Sequence, residues 1–216
     1  MKKVVIVNGS PRKNGNTAEM LRHAANGARD AGAEVVEVNL YGLNYKGCIS
    51  CFSCKTKDTS KHGKCALKDD LSPVLETIQN SDVLIVGTPM YIHNITGATQ
   101  SFLERLVFMH LSYDSIEETY YDGKLNIGFV YTMGMPKENL ESVGYNQMFE
   151  NQKQWKRIFG GEVEYITTCD AYQFSDYSKY AAGMFNVEKK AKLRETQFPI
   201  DCQNAYDMGK RLVEQA

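Results

Sequence analysis

At 216 residues, with 43% apolar and 24% charged residues, the chain has the size and composition of one ordinary globular domain, residues 1–216. Its 25 basic residues balance 26 acidic ones for a net charge of -1, so neither nucleic acid nor an anionic membrane is expected as a partner. No apolar run reaches membrane-spanning length, and the run after Lys2-Lys3 is too short for a signal peptide, so the cytoplasm is the expected compartment. The six cysteines should then be reduced, and a tight cluster of them points to metal, cluster or redox chemistry more than to a disulfide frame.

In chain order, Val4–Val7 is the first of three near-continuous apolar runs, followed by Val83–Val86 and Ile127–Tyr131. Such runs suit parallel strands covered on both faces. Two other segments alternate. Val36, Val38 and Leu40 are interleaved with Glu37 and Asn39, and Val163 and Tyr165 with Glu162 and Glu164. Alternation suits a strand with one wetter face, which places these two at sheet edges. Helical spacing fills the intervals. Thr17–Ala31 carries Met20, Leu21, Ala24, Ala25 and Ala28 on one face, opens on a capping box of Asn16 and Glu19, and stops at Gly32. Leu71, Val74, Leu75 and Ile78 mark a second helix with Pro73 in its first turn. Phe102, Leu103, Leu106 and Val107 mark a third, and Leu140 to Phe159 a fourth. A fifth spans Val187–Val213, broken near Pro199.

Five β-α units in this alternation predict an α/β fold with a parallel, doubly wound five-stranded sheet. With the apolar strands central, the order is 2-1-3-4-5, which is flavodoxin-like. Its ligand site lies at the switch point between the first and third strands.

The segment Gly9-Ser10-Pro11-Arg12-Lys13-Asn14-Gly15-Asn16-Thr17 joins the first strand to the first helix, where a parallel sheet presents backbone N–H groups and a helix N-terminus to an anion. Ser10, Asn14, Asn16 and Thr17 add neutral donors, and Arg12 adds a cation suited to a phosphate monoester. Neither a Walker A ending nor a dinucleotide G-x-G-x-x-G is present. A polar turn with a helix cap is the alternative reading of the same residues.

With Gly87-Thr88-Pro89-Met90-Tyr91 after the third strand, and Gly97 and Phe102-Leu103-Glu104-Arg105 on the third helix, the chain resembles the NAD(P)H-dependent FMN reductase branch of the flavodoxin-like superfamily. Residues 3–135 carry the resemblance, and Glu104 stands where many members have Asp. The resemblance implies that Ser10, Arg12, Asn14, Asn16 and Thr17 hold the FMN phosphate, and that Pro89, Met90, Tyr91 and Asn94 lie along the isoalloxazine ring. Met90 and Tyr91 also suit core or interface positions. Thr132-Met133-Gly134-Met135-Pro136, after the fourth strand, takes the place of a third wall. No Ser-His-Asp, HExxH or paired-carboxylate set appears, so catalytic residues stay unassigned. In flavin chemistry the cofactor carries the reaction.

Cys48, Cys51 and Cys54 are followed, after ten intervening residues, by Cys65. The spacing allows four thiolates around a [4Fe–4S] cluster, and the stretch resembles the cysteine motif of iron–sulfur flavoproteins, whose last gap is shorter. Relatives without a cluster keep a similar segment before an Asp-Asp pair, here Asp69-Asp70. The expectation is cysteines beside the cleft without an obligatory cluster, hence no metal. The lysine-rich gap from Lys55 to Lys64 reads as a solvated loop. Cys169 and Cys202 read as packing residues. The functional expectation is an FMN oxidoreductase that takes hydride from NAD(P)H and reduces a small acceptor such as a quinone, nitro compound or metal chelate. The alternative is an iron–sulfur flavoprotein relaying electrons between protein partners. Apolar and aromatic residues in Phe108–Asp122 predict a homodimer or larger oligomer.

Overall fold

The structure, a computed structural model, describes residues 1–216. Strands β1 (Lys3–Asn8), β2 (Glu34–Asn39), β3 (Val83–Tyr91), β5 (Leu125–Thr132) and β6 (Gly160–Thr168) form a parallel sheet in the order β2-β1-β3-β5-β6. This is the predicted order with one addition. The two-residue β4 (Asn94–Ile95) folds back antiparallel on the end of β3, pairing Met90 with Ile95 and Tyr91 with Asn94. It escapes sequence reading because a two-residue strand has no period.

Alternate side chains of the central strands feed two cores. Val4 and Ile6 of β1 pack under α1 (Asn16–Asp30) and α7 (Phe198–Glu214), while Val5 and Val7 face α2 (Ser72–Gln79) and α3 (Gly97–His110). On the first face the helices meet backbone to backbone. A Cβ at Gly27 would lie 2.0 Å from the Tyr206 carbonyl oxygen, and one at Gly209 would lie 2.1 Å from that of Ala24. The second face is aromatic. Tyr131 stacks on Phe149 at 4.3 Å, and Phe129 meets Trp155 edge-on at 5.4 Å.

Two local expectations need correction. The first helix has Gly15 as its N-cap with no side-chain bond, so Asn16 and Glu19 form no capping box. The Asn16 amide is used elsewhere, as described below. The fourth helix is two pieces, α4 (Tyr145–Lys153) and α5 (Lys156–Phe159), preceded by a single 3-10 turn at Lys137–Asn139. Gly144, at φ 75°, blocks a continuous helix from Leu140. The break near Pro199 holds, with α6 (Val187–Thr196) ending before α7 begins and the proline in the first turn of α7.

Candidate functional site

The loops after β1, β3, β5 and β6 meet at the carboxyl end of the sheet. One cleft is lined by Ser10, Arg12, Gly15, Asn16 and Thr17, by Pro89, Met90 and Tyr91, by Thr132, Met133 and Gly134, and by Ala171 and Gln173. Ten of the twelve residues expected to bind cofactor are therefore brought together. Two are not. Asn14 lies on the opposite side of its loop, in a groove with Lys13, Asn39 and Glu37. Asn94 sits past the tip of the β3–β4 hairpin, where its side chain accepts from the Ile95 N–H at 2.8 Å. Asn14 is next in sequence to the lining residue Gly15 and Asn94 lies three residues past the lining residue Tyr91, and spacing alone carries no sign that either falls outside the cleft.

The first loop is tied down from behind. The Gly9 N–H donates to the Gly87 carbonyl at 2.7 Å, and the Thr96 hydroxyl, at the N-cap of α3, donates to the Gly9 carbonyl at 2.9 Å. Gly9 must be glycine, since a Cβ there would lie 1.9 Å from the Thr99 hydroxyl. The N–H groups of Asn16, Thr17 and Ala18 find no acceptor in the chain, because Gly15 offers no side chain to cap them. Unused donors at a helix N-terminus, a buried Ser10 hydroxyl and an Arg12 guanidinium at the rim fit a phosphate monoester. Thr17 and Thr132 share a hydrogen bond of 2.7 Å deep in the cleft, which fixes the spacing of the first and third walls.

The segment after β6 forms a fourth wall that sequence reading missed. The Gln173 carbonyl accepts from Arg12 at 2.6 Å, and the Tyr172 carbonyl accepts from the Asn16 amide at 2.9 Å. Arg194 of α6 donates to the Asn16 Oδ1 at 2.8 Å. The Gln173 side chain rests on Gly134, where a Cβ would come within 2.7 Å of it. The residues after Thr168 carry no motif, and only the aromatic run Tyr172, Phe174 and Tyr177 hints that they pack.

A second pocket lies along the far half of α3. Cys48, Cys51, Cys54 and Cys65 line one small cavity with Ile49, Phe52, Ala66, Leu67, Arg105, Phe108 and Met109. All four thiols are free. The pocket shares no lining residue with the cleft. From Gly97 to Arg105 or Met109 is about 12–18 Å of helix, so the expectation of cysteines beside the cleft is corrected. After Leu40 the chain runs down α3, with the Tyr45 hydroxyl donating to the Ala98 carbonyl at 2.6 Å, instead of staying at the strand tips.

The backbone of this loop is bent to hold the thiols. Ser50 and Phe52 take φ of 54° and 55°, in the left-handed region, and no N–H from Gly47 to Cys54 finds an acceptor in the chain. Such alternation turns N–H groups toward one concavity, an arrangement that suits anions and iron–sulfur centres. Arg105 closes the loop. Its side chain is fully buried and bonds Asp69 at 2.6 Å, the Lys46 carbonyl at 3.3 Å and the Leu67 carbonyl at 3.4 Å, joining the residues before Cys48 to those after Cys65. Its Nε has no partner. The four free thiols line one cavity beside an orphaned guanidinium nitrogen, but no three cysteine, histidine or carboxylate side chains stand close enough together to hold a metal ion. The gap from Lys55 to Lys64 is not simply solvated. Lys55 donates to the Phe108 carbonyl at 2.5 Å at the end of α3, and the ring of His62 stacks on Tyr120 at 3.9 Å.

Comparison with known proteins adds to this geometry. A profile of the NADPH-dependent FMN reductase family matches residues 2–137. The chain belongs to the NADPH-dependent FMN reductase family. Among curated relatives, an iron-sulfur flavoprotein of Methanocaldococcus jannaschii is 31% identical over 103 residues, covering 48% of this chain and 51% of that protein. Another, from Clostridioides difficile, is 32% identical over 110 residues, covering 49% and 46%. The chain thus spans about half the length of the relatives it matches. Among solved structures, NAD(P)H:quinone oxidoreductase from Methanothermobacter marburgensis superposes with a TM-score of 0.71 at 16% identity, covering 98% of both chains. An azoreductase from Bacillus anthracis gives 0.64 at 13% identity, covering 98% and 100%. At these identities the likeness is one of fold, and that fold is flavodoxin-like.

Proposed function

We propose that this reductase-family chain holds FMN in the four-walled cleft, accepts hydride there from NAD(P)H, and passes electrons to a small acceptor. The supporting observation is the convergence, on one cleft, of an uncapped helix N-terminus with the loops after β3 and β5. Ser10, Arg12 and the N–H groups of Asn16, Thr17 and Ala18 hold the phosphate. Pro89, Met90 and Tyr91 flank the ring on one side, and Thr132, Met133 and Gly134 on the other. FMN supplies the hydride chemistry when bound, and the chain's residues position it and exclude alternatives. The quinone oxidoreductase and azoreductase that share the fold make a quinone or azo compound the first acceptors to try. Anaerobic mixing with NADH or NADPH tests the reading. Bleaching of bound flavin by either donor supports it, and reduction only by a reduced protein partner replaces it with electron relay.

The cysteine pocket supports a second feature, a [4Fe–4S] cluster held by Cys48, Cys51, Cys54 and Cys65. The long final gap weighed against a cluster in the sequence. The four cysteines lining one cavity, with an orphaned Arg105 Nε beside them, support it, as do the names of the curated relatives, although the thiols are not drawn together as cluster ligands in this structure. Near four irons and four sulfides per chain in oxygen-free protein supports the cluster, and metal-free protein with flavin intact restores the cluster-free reading. Self-association is proposed as well. Tyr113 and Ile116 remain 63% and 75% exposed, beside the edge-on trio of Phe52, Phe108 and Tyr113. A monomeric mass by light scattering would refute it.

A further inference from the structure

We propose that Lys190 is a positioning residue for the cleft loop after β5, and that its buried charge makes the cleft prefer reduced over oxidised FMN. The proposal rests on the FMN reading above.

Every backbone group of that loop can be followed. The Met133 N–H donates to the Thr168 carbonyl at 3.0 Å. The Met133 carbonyl accepts from the Ala171 N–H at 2.9 Å, the Gly134 carbonyl from the Lys190 ammonium at 3.1 Å, and the Met135 carbonyl from the Asp170 N–H at 2.8 Å. Three successive carbonyls are thus taken up by the segment after β6 and by α6. The N–H groups of Gly134 and Met135 find no acceptor in the chain, and Gly134 lines the cleft. The Gly134 N–H is the donor this loop leaves at the cleft itself, and the Met135 N–H is unused directly beyond it. No peptide bond in the chain is cis, so the Met135 N–H points opposite to the Gly134 carbonyl and away from Lys190. A cation on the carbonyl side of a peptide polarises it and strengthens the N–H as a donor.

Lys190 is 2% exposed, an unusual place for an ammonium. It bonds Asp170 at 2.5 Å and lies 5.0 Å from the Phe185 ring. Asp170, also buried, holds a left-handed φ of 50° and receives Lys189 at 3.1 Å from the solvent side. Burial works against its charge, but the hydrogen bonds and charges of the two lysines outweigh it and keep its carboxyl below the usual range. A fastening for α6 alone could be apolar, since buried ion pairs add little stability over a well-packed apolar contact. It would not require a bond to a carbonyl of the cleft loop. Two-electron reduction adds negative charge to the flavin ring, and positive potential delivered through a polarised N–H favours that state.

The test is the ratio of two affinities. Apo-protein is titrated with oxidised FMN and, without oxygen, with FMN reduced by dithionite. Lys190→Met should raise the reduced Kd about tenfold more than it raises the oxidised Kd, a fall of about 30 mV in the two-electron potential. Lys190→Arg keeps the charge and should hold the ratio within about threefold of the unmodified protein. If Lys190→Met does not fold, Lys190→Gln takes its place, keeping a donor for the Gly134 carbonyl without charge, with the same expectation. Equal weakening of both redox forms makes Lys190 a fastening only and overturns the proposal, as does an unchanged ratio. Unmodified protein is titrated first. Failure of either form of FMN to bind it refutes the cleft reading itself, a distinct result.

Discussion

The cleft and the cysteine pocket lie at opposite ends of α3 and are held by opposite means. The cleft stands at strand tips. Its walls inherit their places from the register of β1, β3, β5 and β6, and its contacts are polar. The cysteine pocket stands off the sheet. It is almost wholly apolar inside, and its shape depends on one buried arginine and two residues in a strained backbone region. A site placed by a sheet can lose a side chain and keep its shape. A site placed by side chains cannot.

Replacement of Arg105 should break the second region alone, and it carries the largest expected effect. Arg105→Met leaves Asp69 without its partner and frees the carbonyls of Lys46 and Leu67. Removing one member of a buried pair costs about 3–5 kcal/mol. Urea unfolding should show a loss of that size, while the FMN Kd of the folded variant stays within about threefold. A large loss of FMN affinity would mean that the two regions are coupled through α3. The same pair leaves a pH signature. Burial tends to raise the Asp69 pKa, but the bond and charge of Arg105 outweigh it and hold the carboxyl below its ordinary value. A lowered carboxylate stabilises the fold above its unfolded value near 3.9, and that contribution fades as pH falls through the lower folded value. Asp69→Asn should therefore destabilise at neutral pH and flatten the acid limb below about pH 4, measured by unfolding at a series of pH values.

Arg12→Ala should do the reverse and spare the fold. Arg12 is exposed, and one of its donors is committed to the Gln173 carbonyl, which leaves others of its five for phosphate. Charge-assisted bonds of this kind are worth about 1.5–3 kcal/mol, so FMN should bind on the order of tenfold or more weakly. Riboflavin, which lacks the phosphate, should be little affected. Equal losses for both ligands would show that Arg12 braces the fourth wall instead of contacting phosphate.

The two regions also differ in how far the sequence revealed them. Strand order and three cleft walls were legible, because apolar runs such as Val4–Val7 and Val83–Val86 report burial, and burial reports strand order. The fourth wall was not. Tyr172 and Gln173 reach the cleft through their backbone carbonyls and Lys190 through the carbonyl of Gly134, and a carbonyl has no residue type. The cysteine spacing named four thiols but not the cavity they line, which depends on Arg105 bridging Lys46 to Leu67 across the loop. The neighbours of Asn16 fit a capping-box pattern in the sequence. Tertiary bonds to Tyr172 and Arg194 claimed its amide instead.

The smallest expected effect is also the sharpest contrast, because it starts from one conformation in both places. Ile92 and Phe52 are both non-glycine residues at a φ of 50–55°. That region costs an ordinary residue about 1–2 kcal/mol, and asparagine tolerates it better. Ile92 sits with His93, at φ 61°, in the two-residue turn between β3 and β4, where asparagine and glycine are favoured. Its side chain is 97% exposed and leaves nothing to lose. Phe52 is 47% exposed but packs edge-on against Phe108 at 5.8 Å and Tyr113 at 6.1 Å. Such aromatic pairs are worth about 0.5–1.5 kcal/mol each beyond the area they bury. Ile92→Asn should therefore raise Tm by about 2–4 °C, the equivalent of about 1 kcal/mol in a chain of this size. Phe52→Asn, measured on metal-free protein, should leave Tm unchanged or lower it, since relief of the same strain is offset by lost packing. A matching rise for both would mean that the aromatic trio contributes nothing to holding the cysteine loop, and that its shape comes from the thiols and Arg105 alone.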